Sequence, residues 1–170
     1  MKKILKVVEN NRSNSWVRFG NFIIDRVVVY LFFLAFGFFA SLTYEILGTE
    51  FFINIALELS SVNKFMDILI TTTVYFLYVF LMEYFTKGRT IGKYITGSKV
   101  ISTDGTQPTL QDYFIRNISR FVPFDALSFL GGGNGWHDSW SDTRVIHIKN
   151  YKAELQAKSE IESIGAKEIA

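Results

Sequence analysis

Three parts of this chain carry side chains that could bind or pass an ion. Arg18 and Asp25 lie seven residues apart at the start of one long apolar run, Glu83 lies near the end of a second run, and His137-Asp138 follows a glycine-rich segment. Residues seven apart on a helix return to nearly the same face, about 10 Å apart along the axis. We predict an ion- or proton-binding site made of Asp25, Glu83 and Asp138, with Arg18 as its counter-charge.

A carboxylate at the centre of a membrane span costs about 2.5–3.5 kcal/mol and less near the interface, so each of these acids also has a structural explanation. Asp25 could accept hydrogen bonds that hold helices together, and Glu83 is close enough to the interface to be solvated. If the two lie at similar depth, they would share a proton, hold a cation or be neutralised by Arg18. Arg18 could instead be an interfacial anchor, and His137 could orient a loop rather than accept a proton.

The surroundings of these residues favour ion handling over catalysis. Arg116, Asp142 and Arg144 are predicted to support the site, and its carboxylates could surround a hard cation. No spacing fits a transition-metal site, so no metal and no cofactor is predicted. The sequence has no cysteine, which excludes disulfides and thiol catalysis. Serines 139 and 141 lack the spacing of a hydrolase, so we expect no enzyme activity, on lipid headgroups or otherwise.

Two apolar segments must position these side chains. Residues 19–47 and 65–85 are each long enough for a membrane span, and the chain is 49 % hydrophobic with 17 phenylalanines and a mean hydropathy of +0.20. Val27 to Leu42 of the first segment shows no polar stripe such as a helix in a soluble core normally has. The predicted fold class is therefore an all-α membrane protein with two transmembrane helices in a hairpin.

The remaining segments are expected to lie on the cytoplasmic side of this hairpin. Residues 90–97 form a surface helix capped by Thr90, and residues 109–130 form an interfacial or re-entrant helix opened by Thr109 and broken at Pro123. KVISTDG and TRVIHI predict a small two-stranded ribbon. Residues 1–15 are a polar, basic lead-in, 16–148 the membrane domain, and 149–170 a charged tail.

Charge flanking the two spans predicts their orientation. Residues 1–20 carry five basic side chains against one acid, and residues 87–99 carry four bases and no acid, whereas the connection between the spans is acidic. Basic flanks mark the cytoplasmic side, so both termini are predicted to be cytoplasmic in the cell (inner) membrane. The lysines need no nucleic-acid partner to explain them. The predicted partners are the lipid bilayer and further copies of the chain.

Five motifs in order resemble the RDD family of small membrane proteins: Arg18 with Asp25, GRTIGK, KVISTDG, Arg116-Asn117, and WHDSWSDTRV. Arg18 and Asp25 match the arginine and first aspartate for which the family is named. Asp138 matches the second aspartate, with Asp125 as the alternative. The resemblance implies this membrane fold and a role in transport.

Two functions remain open from the sequence. The first is transport of a small ion or solute, with or without coupling to protons, by a homo-oligomer, since two spans cannot enclose a pathway. The second is a non-transporting scaffold or accessory subunit in which the arginine and aspartates are structural.

Overall fold

Two long helices dominate the computed structural model, which describes residues 3–122, 125–128 and 134–168. Helix α2 spans Ser15–Leu47 and helix α4 spans Lys64–Phe85. Asn14 and Asn63 cap their N-termini by accepting from backbone N–H groups, and α2 ends at Gly48 in the left-handed conformation. At 33 and 22 residues they are about 50 and 33 Å long, enough to cross a bilayer.

Exposure of apolar side chains separates these helices from those of a soluble core. Among the described residues, they are the two helices long and apolar enough to cross a membrane, with mean hydropathies of 2.1 and 1.8, and only 11 % of each apolar window is buried. A core helix of a soluble protein is mostly buried, whereas these two present phenylalanine and leucine outward over most of their length. The predicted all-α membrane fold with two long helices is confirmed.

The two helices pack against each other near the start of α2 and the end of α4. Val29 of α2 forms a buried cluster with Tyr75 and Val79 of α4. The connection between them contains α3, Phe51–Ser61, which packs back on α2 through the Phe39 and Phe52 rings, 5.3 Å apart. Polar side chains gather beside the packed end of the hairpin.

We call the described residues between 86 and 147 the cap, because they fold over this end. Helix α4 ends at Phe85 with Thr86 as its C-cap; Gly88 follows with φ +101°, and a Cβ there would lie 2.5 Å from the Val100 carbonyl oxygen. Helix α5, Ile91–Thr96, is capped by Thr90, whose side chain accepts a hydrogen bond from the Lys93 backbone N–H. The predicted ribbon is confirmed as β1, Ser98–Ser102, antiparallel to β2, Thr143–His147.

The rest of the cap consists of short helical segments. Helix α6, Leu110–Ile118, begins with a capping box and is too short to span a membrane; a 3₁₀ turn, Ser119–Phe121, follows it. Helices α7, Asp125–Ser128, and α8, Trp136–Trp140, complete it. The predicted break at Pro123 and most of the predicted glycine hinge lie outside the described residues.

Both terminal segments pack on the ribbon. Helix α1, Lys6–Asn10, lies in the polar, basic lead-in and buries Val8 against Ile101 and Ile146. Helix α9 spans Ile148–Glu168, and its Glu154 accepts a 2.6 Å hydrogen bond from the Asn11 side chain. Val7 and Val8 alone, in a short basic segment, are a weak sequence signal for a buried helix. Their burial depends on a ribbon formed by residues far along the chain.

Candidate functional site

Asp25 connects the first long helix to the start of α5. Its carboxylate accepts from the Tyr78 hydroxyl at 3.0 Å, the Thr90 hydroxyl at 2.6 Å and the Gly92 backbone N–H at 2.9 Å. Only 3 % of the residue is exposed. Two of the three donors, Thr90 and Gly92, belong to the GRTIGK segment, so Asp25 holds that segment against α2.

Glu83 is fully buried rather than solvated. It accepts from Lys93 Nζ at 2.7 Å, from the Asn117 side-chain amide at 3.0 Å and from Arg116 Nε at 3.4 Å. Lys93, which the sequence placed on the membrane surface, is only 3 % exposed. Burial lowers the pKa of Lys93, and the Glu83 carboxylate opposes this shift. The two residues form a buried ion pair between α4 and α5.

Asp138 is the carboxylate on which two arginines converge. Arg18 donates through Nη2 to one carboxylate oxygen, and Arg116 donates through Nη1 to the other. Burial acts to raise the pKa of Asp138, but the two guanidinium groups outweigh it and hold that pKa well below its usual range. Arg18 therefore serves Asp138, on α8, as counter-charge, and Arg116 bridges Asp138 to Glu83.

His137 is held neutral between an acid and an arginine. Its Nδ1 lies 2.7 Å from an Asp125 carboxylate oxygen, and its Nε2 lies 3.2 Å from Arg18 Nη2. A guanidinium nitrogen only donates, so Nε2 accepts and Nδ1 carries the proton that Asp125 receives. Burial, the largest effect, lowers the pKa of His137 to about 4, and nearby arginines act in the same direction.

The other two predicted supporting residues lie at the margin. Asp142 is in the turn before β2 with φ +46°, and its backbone carbonyl accepts from the Thr103 N–H. Arg144 donates to the Glu9 carboxylate at 3.3 Å and reaches the Asp138 main-chain carbonyl only at 3.4 Å. Both stabilise the ribbon end of the cap rather than the groups around Asp138.

We call the buried and half-buried ionisable groups at this end of the hairpin the charge cluster. It contains four cations, four carboxylates and one neutral histidine: Arg18, Lys93, Arg116, Arg120, Asp25, Glu83, Asp125, Asp138 and His137. Its formal charges therefore balance. Among the described residues no three His, Asp or Glu side chains are grouped to hold a metal ion. The acids instead have protein donors as their partners.

A small cavity lies inside the charge cluster. Its volume is about 20 Å³, and Arg18, Asp25, Lys93, Arg116, Arg120 and His137 line it together with Asn21 and three apolar side chains. A cavity of this size holds about one water-sized species. Asp25, Arg18 and His137 therefore all line the same cavity. Glu83 and Asp138 do not line it, but each forms an ion pair with a cation that does.

Sequence reasoning missed several members of this cluster. Lys93, Asn117 and Arg120 were not assigned to the site, and Asp125 was only the alternative match for an aspartate. Lys93 and Asn117 both belong to motifs that had been noted, GRTIGK and Arg116-Asn117, so motif membership was the available signal. Arg120 had none, because its position at the cavity depends on the 3₁₀ turn that follows α6.

Fold and site together define a class: a small membrane protein with a two-helix hairpin whose polar end is closed by a cap through buried ion pairs. The RDD family model matches residues 12–147, most of the chain, and the protein belongs to the RDD family. Comparison with curated proteins finds no match, and comparison with solved structures finds none.

Proposed function

We propose that this protein is a subunit of a homo-oligomer that moves a small ion across the cell (inner) membrane, and that the charge cluster handles the ion. The observation that carries the proposal is a small polar cavity, surrounded by buried ionisable side chains, at the end of both candidate spans. Ionisable residues beside membrane spans commonly mark ion or proton pathways. Two helices cannot enclose a pathway, so several copies must assemble around it.

The proposed orientation places the charge cluster at the cytoplasmic boundary. Basic residues flank the start of α2 and the end of α4, and acidic residues predominate between the helices. The positive-inside rule then puts both termini in the cytoplasm. In this orientation the cavity receives ions from the cytoplasm or delivers them there. The proposal assigns no catalytic role to any residue.

Flux measurements on the pure protein test this proposal. The full chain is reconstituted into lipid vesicles, and proton, cation and anion movement is followed under imposed gradients. We expect flux that Asp25→Asn reduces, because this change removes the carboxylate that fixes one wall of the cavity. Asp67→Asn is the matched control, since Asp67 is an exposed acid on α4. Clear flux unaltered by Asp25→Asn would contradict the site assignment.

One observation favours a second candidate, a non-transporting scaffold or accessory subunit. Asp25, Glu83 and Asp138 are each engaged by two or more donors of the protein itself. In this case the charge cluster only fastens the cap to the hairpin. Asp25→Asn and Arg18→Gln then lower thermal stability, and the pure wild-type protein carries no ion under any gradient.

A further inference from the structure

Two arginines that line the cavity, Arg116 and Arg120, each have a buried N–H group with no acceptor in the described part of the chain. Arg116 is fully buried, and its Nε and Nη1 donate to carboxylates, but its Nη2 has no hydrogen-bond partner within the described part of the chain. Arg120 Nε is likewise buried without an acceptor among those residues. A buried charged donor left unpaired is costly, and such groups in folded proteins are rare.

The charged side chains that line the cavity are mostly cationic. Four of them carry a positive charge, namely Arg18, Lys93, Arg116 and Arg120, and one, Asp25, carries a negative charge. Asp25 already accepts three hydrogen bonds from the protein. Arg120 differs from the other three cations, because it forms no ion pair with a described residue. The chemistry of the lining therefore suits an electron-rich guest.

We propose that this cavity binds one small monovalent anion of the halide class, held by Arg116 Nη2 and Arg120 Nε. Its volume of about 20 Å³ accommodates one small guest such as a single-atom anion. Charge-assisted hydrogen bonds from guanidinium groups stabilise a bound anion most strongly where water is excluded. Asp25 opposes binding and restricts the site to a singly charged guest.

Halide binding is coupled to a proton on His137. The charge cluster is balanced with this histidine neutral, so a bound anion leaves one uncompensated negative charge that protonation removes. The groups that face His137 come from five elements of the fold: Arg18 of α2, Arg116 of α6, Arg120 of the 3₁₀ turn, Asp125 of α7 and Asp138 of α8. By linkage, an anion that favours the imidazolium form binds more tightly as the pH falls.

This inference names the cargo of the proposed function and rests on that function only for the transport step. Binding of a halide at the cavity is a property of the single chain in detergent. Movement of the halide together with a proton across a membrane requires the proposed oligomer as well.

The binding arm of the test uses the purified full chain in detergent, exchanged into gluconate and titrated with bromide at constant ionic strength. We expect a saturable rise in thermal stability with bromide or chloride but not with sulfate, and tighter bromide binding at about pH 5 than at about pH 7. Arg120→Gln should weaken bromide affinity by about tenfold or more. Arg89→Gln, a half-buried arginine outside the cavity, should leave it unchanged.

The outcomes separate the two proposals. Equal stabilisation by bromide and gluconate, or bromide affinity preserved in Arg120→Gln, overturns the anion site. Bromide binding without halide flux in vesicles supports the site and contradicts transport. Cation flux that is indifferent to halide supports transport and contradicts the halide as its cargo. Because Arg120 lies in no described ion pair, its substitution should leave the fold intact.

Discussion

Asp138→Asn is the substitution that most directly probes how the cap is held on the hairpin. The change keeps the size of the side chain and removes its charge. Asp138 is fully buried and receives donors from Arg18 on α2 and Arg116 on α6. An asparagine offers the two arginines a single neutral oxygen and turns its own N–H group toward one of them. Both buried guanidinium groups then lose a charged acceptor.

The expected loss follows from the burial of both partners. Arg116 is completely buried and Arg18 is 7 % exposed, so neither gains water when the carboxylate is removed. Breaking a buried ion pair by removing one partner costs about 3–5 kcal/mol. For a chain of this length that loss corresponds to a fall in melting temperature of about 6–20 °C. Domains are stable by only about 5–15 kcal/mol, so the loss is a large fraction of the total.

Thermal unfolding in detergent, followed by tryptophan fluorescence, measures this loss where it occurs. Trp136 and Trp140 lie on α8 on either side of Asp138, and their rings stack with centroids 6.4 Å apart, so unfolding of α8 separates the rings and changes their emission. Asp67→Asn makes the same chemical change at an exposed acid in the first turn of α4. We expect that control to change stability by no more than about 0.5 kcal/mol.

An Asp138→Asn protein as stable as Asp67→Asn would refute the reasoning. The cap would then be held mainly by its apolar contacts, of which the cluster of Val100, Tyr113 and Val145 is the nearest example. If the melting temperature falls when followed by tryptophan emission but not when followed by the helical signal, Asp138 holds only α8 in place. Concerted loss of both signals is the result expected from a single locked unit.

Three further perturbations test other parts of the structure. Lys93→Met and Glu83→Gln should each lower the free energy of unfolding. In the double variant the loss should be about 1–3 kcal/mol smaller than the sum of the two single losses. Additive losses in this double-mutant cycle would contradict a buried ion pair. The pKa of His137 is about 4 when folded and about 6.5 when unfolded. The unfolded state therefore binds the extra proton between these values, and stability should rise with pH across that window by about 3 kcal/mol and be complete above it. His137→Asn should flatten this part of the measured pH profile. Gly92→Ala places a Cβ 2.6 Å from the α2 backbone and should cost about 1–3 kcal/mol, whereas Gly20→Ala, with no atom within 4 Å, should be neutral or stabilising in the same unfolding assay.

Local signals predicted the elements of this fold well. The two apolar runs and the helix-capping residues Thr90 and Thr109 each depend on a few neighbouring residues, and each is present. The ribbon was also predicted, because its two strands show β patterns of their own. Hydrophobic length and capping chemistry act within one or two turns of chain, so a single sequence is enough to identify them.

The pairing of charges could not be predicted in the same way. Arg18 reaches a carboxylate 120 residues away, and Arg116 one that lies 33 residues before it. Such partners depend on how the cap folds over the hairpin. Lys93 shows the consequence: on a short helix with isoleucines at 91 and 95, a lysine was assigned to the membrane surface. Both isoleucines are in fact exposed, and the lysine points inward to Glu83.

The charge cluster can fasten the cap to the hairpin and bind an ion at the same time. Its acids are occupied by protein donors, so substituting Asp25, Glu83 or Asp138 loosens the cap and disturbs any ion at once. Loss of flux in those variants therefore has two explanations unless stability is measured beside it. Arg120 lines the cavity without belonging to any described ion pair. A protein with Arg120→Gln that melts like the wild type and no longer responds to bromide would assign ion handling to the cavity and leave fastening of the cap to the paired acids.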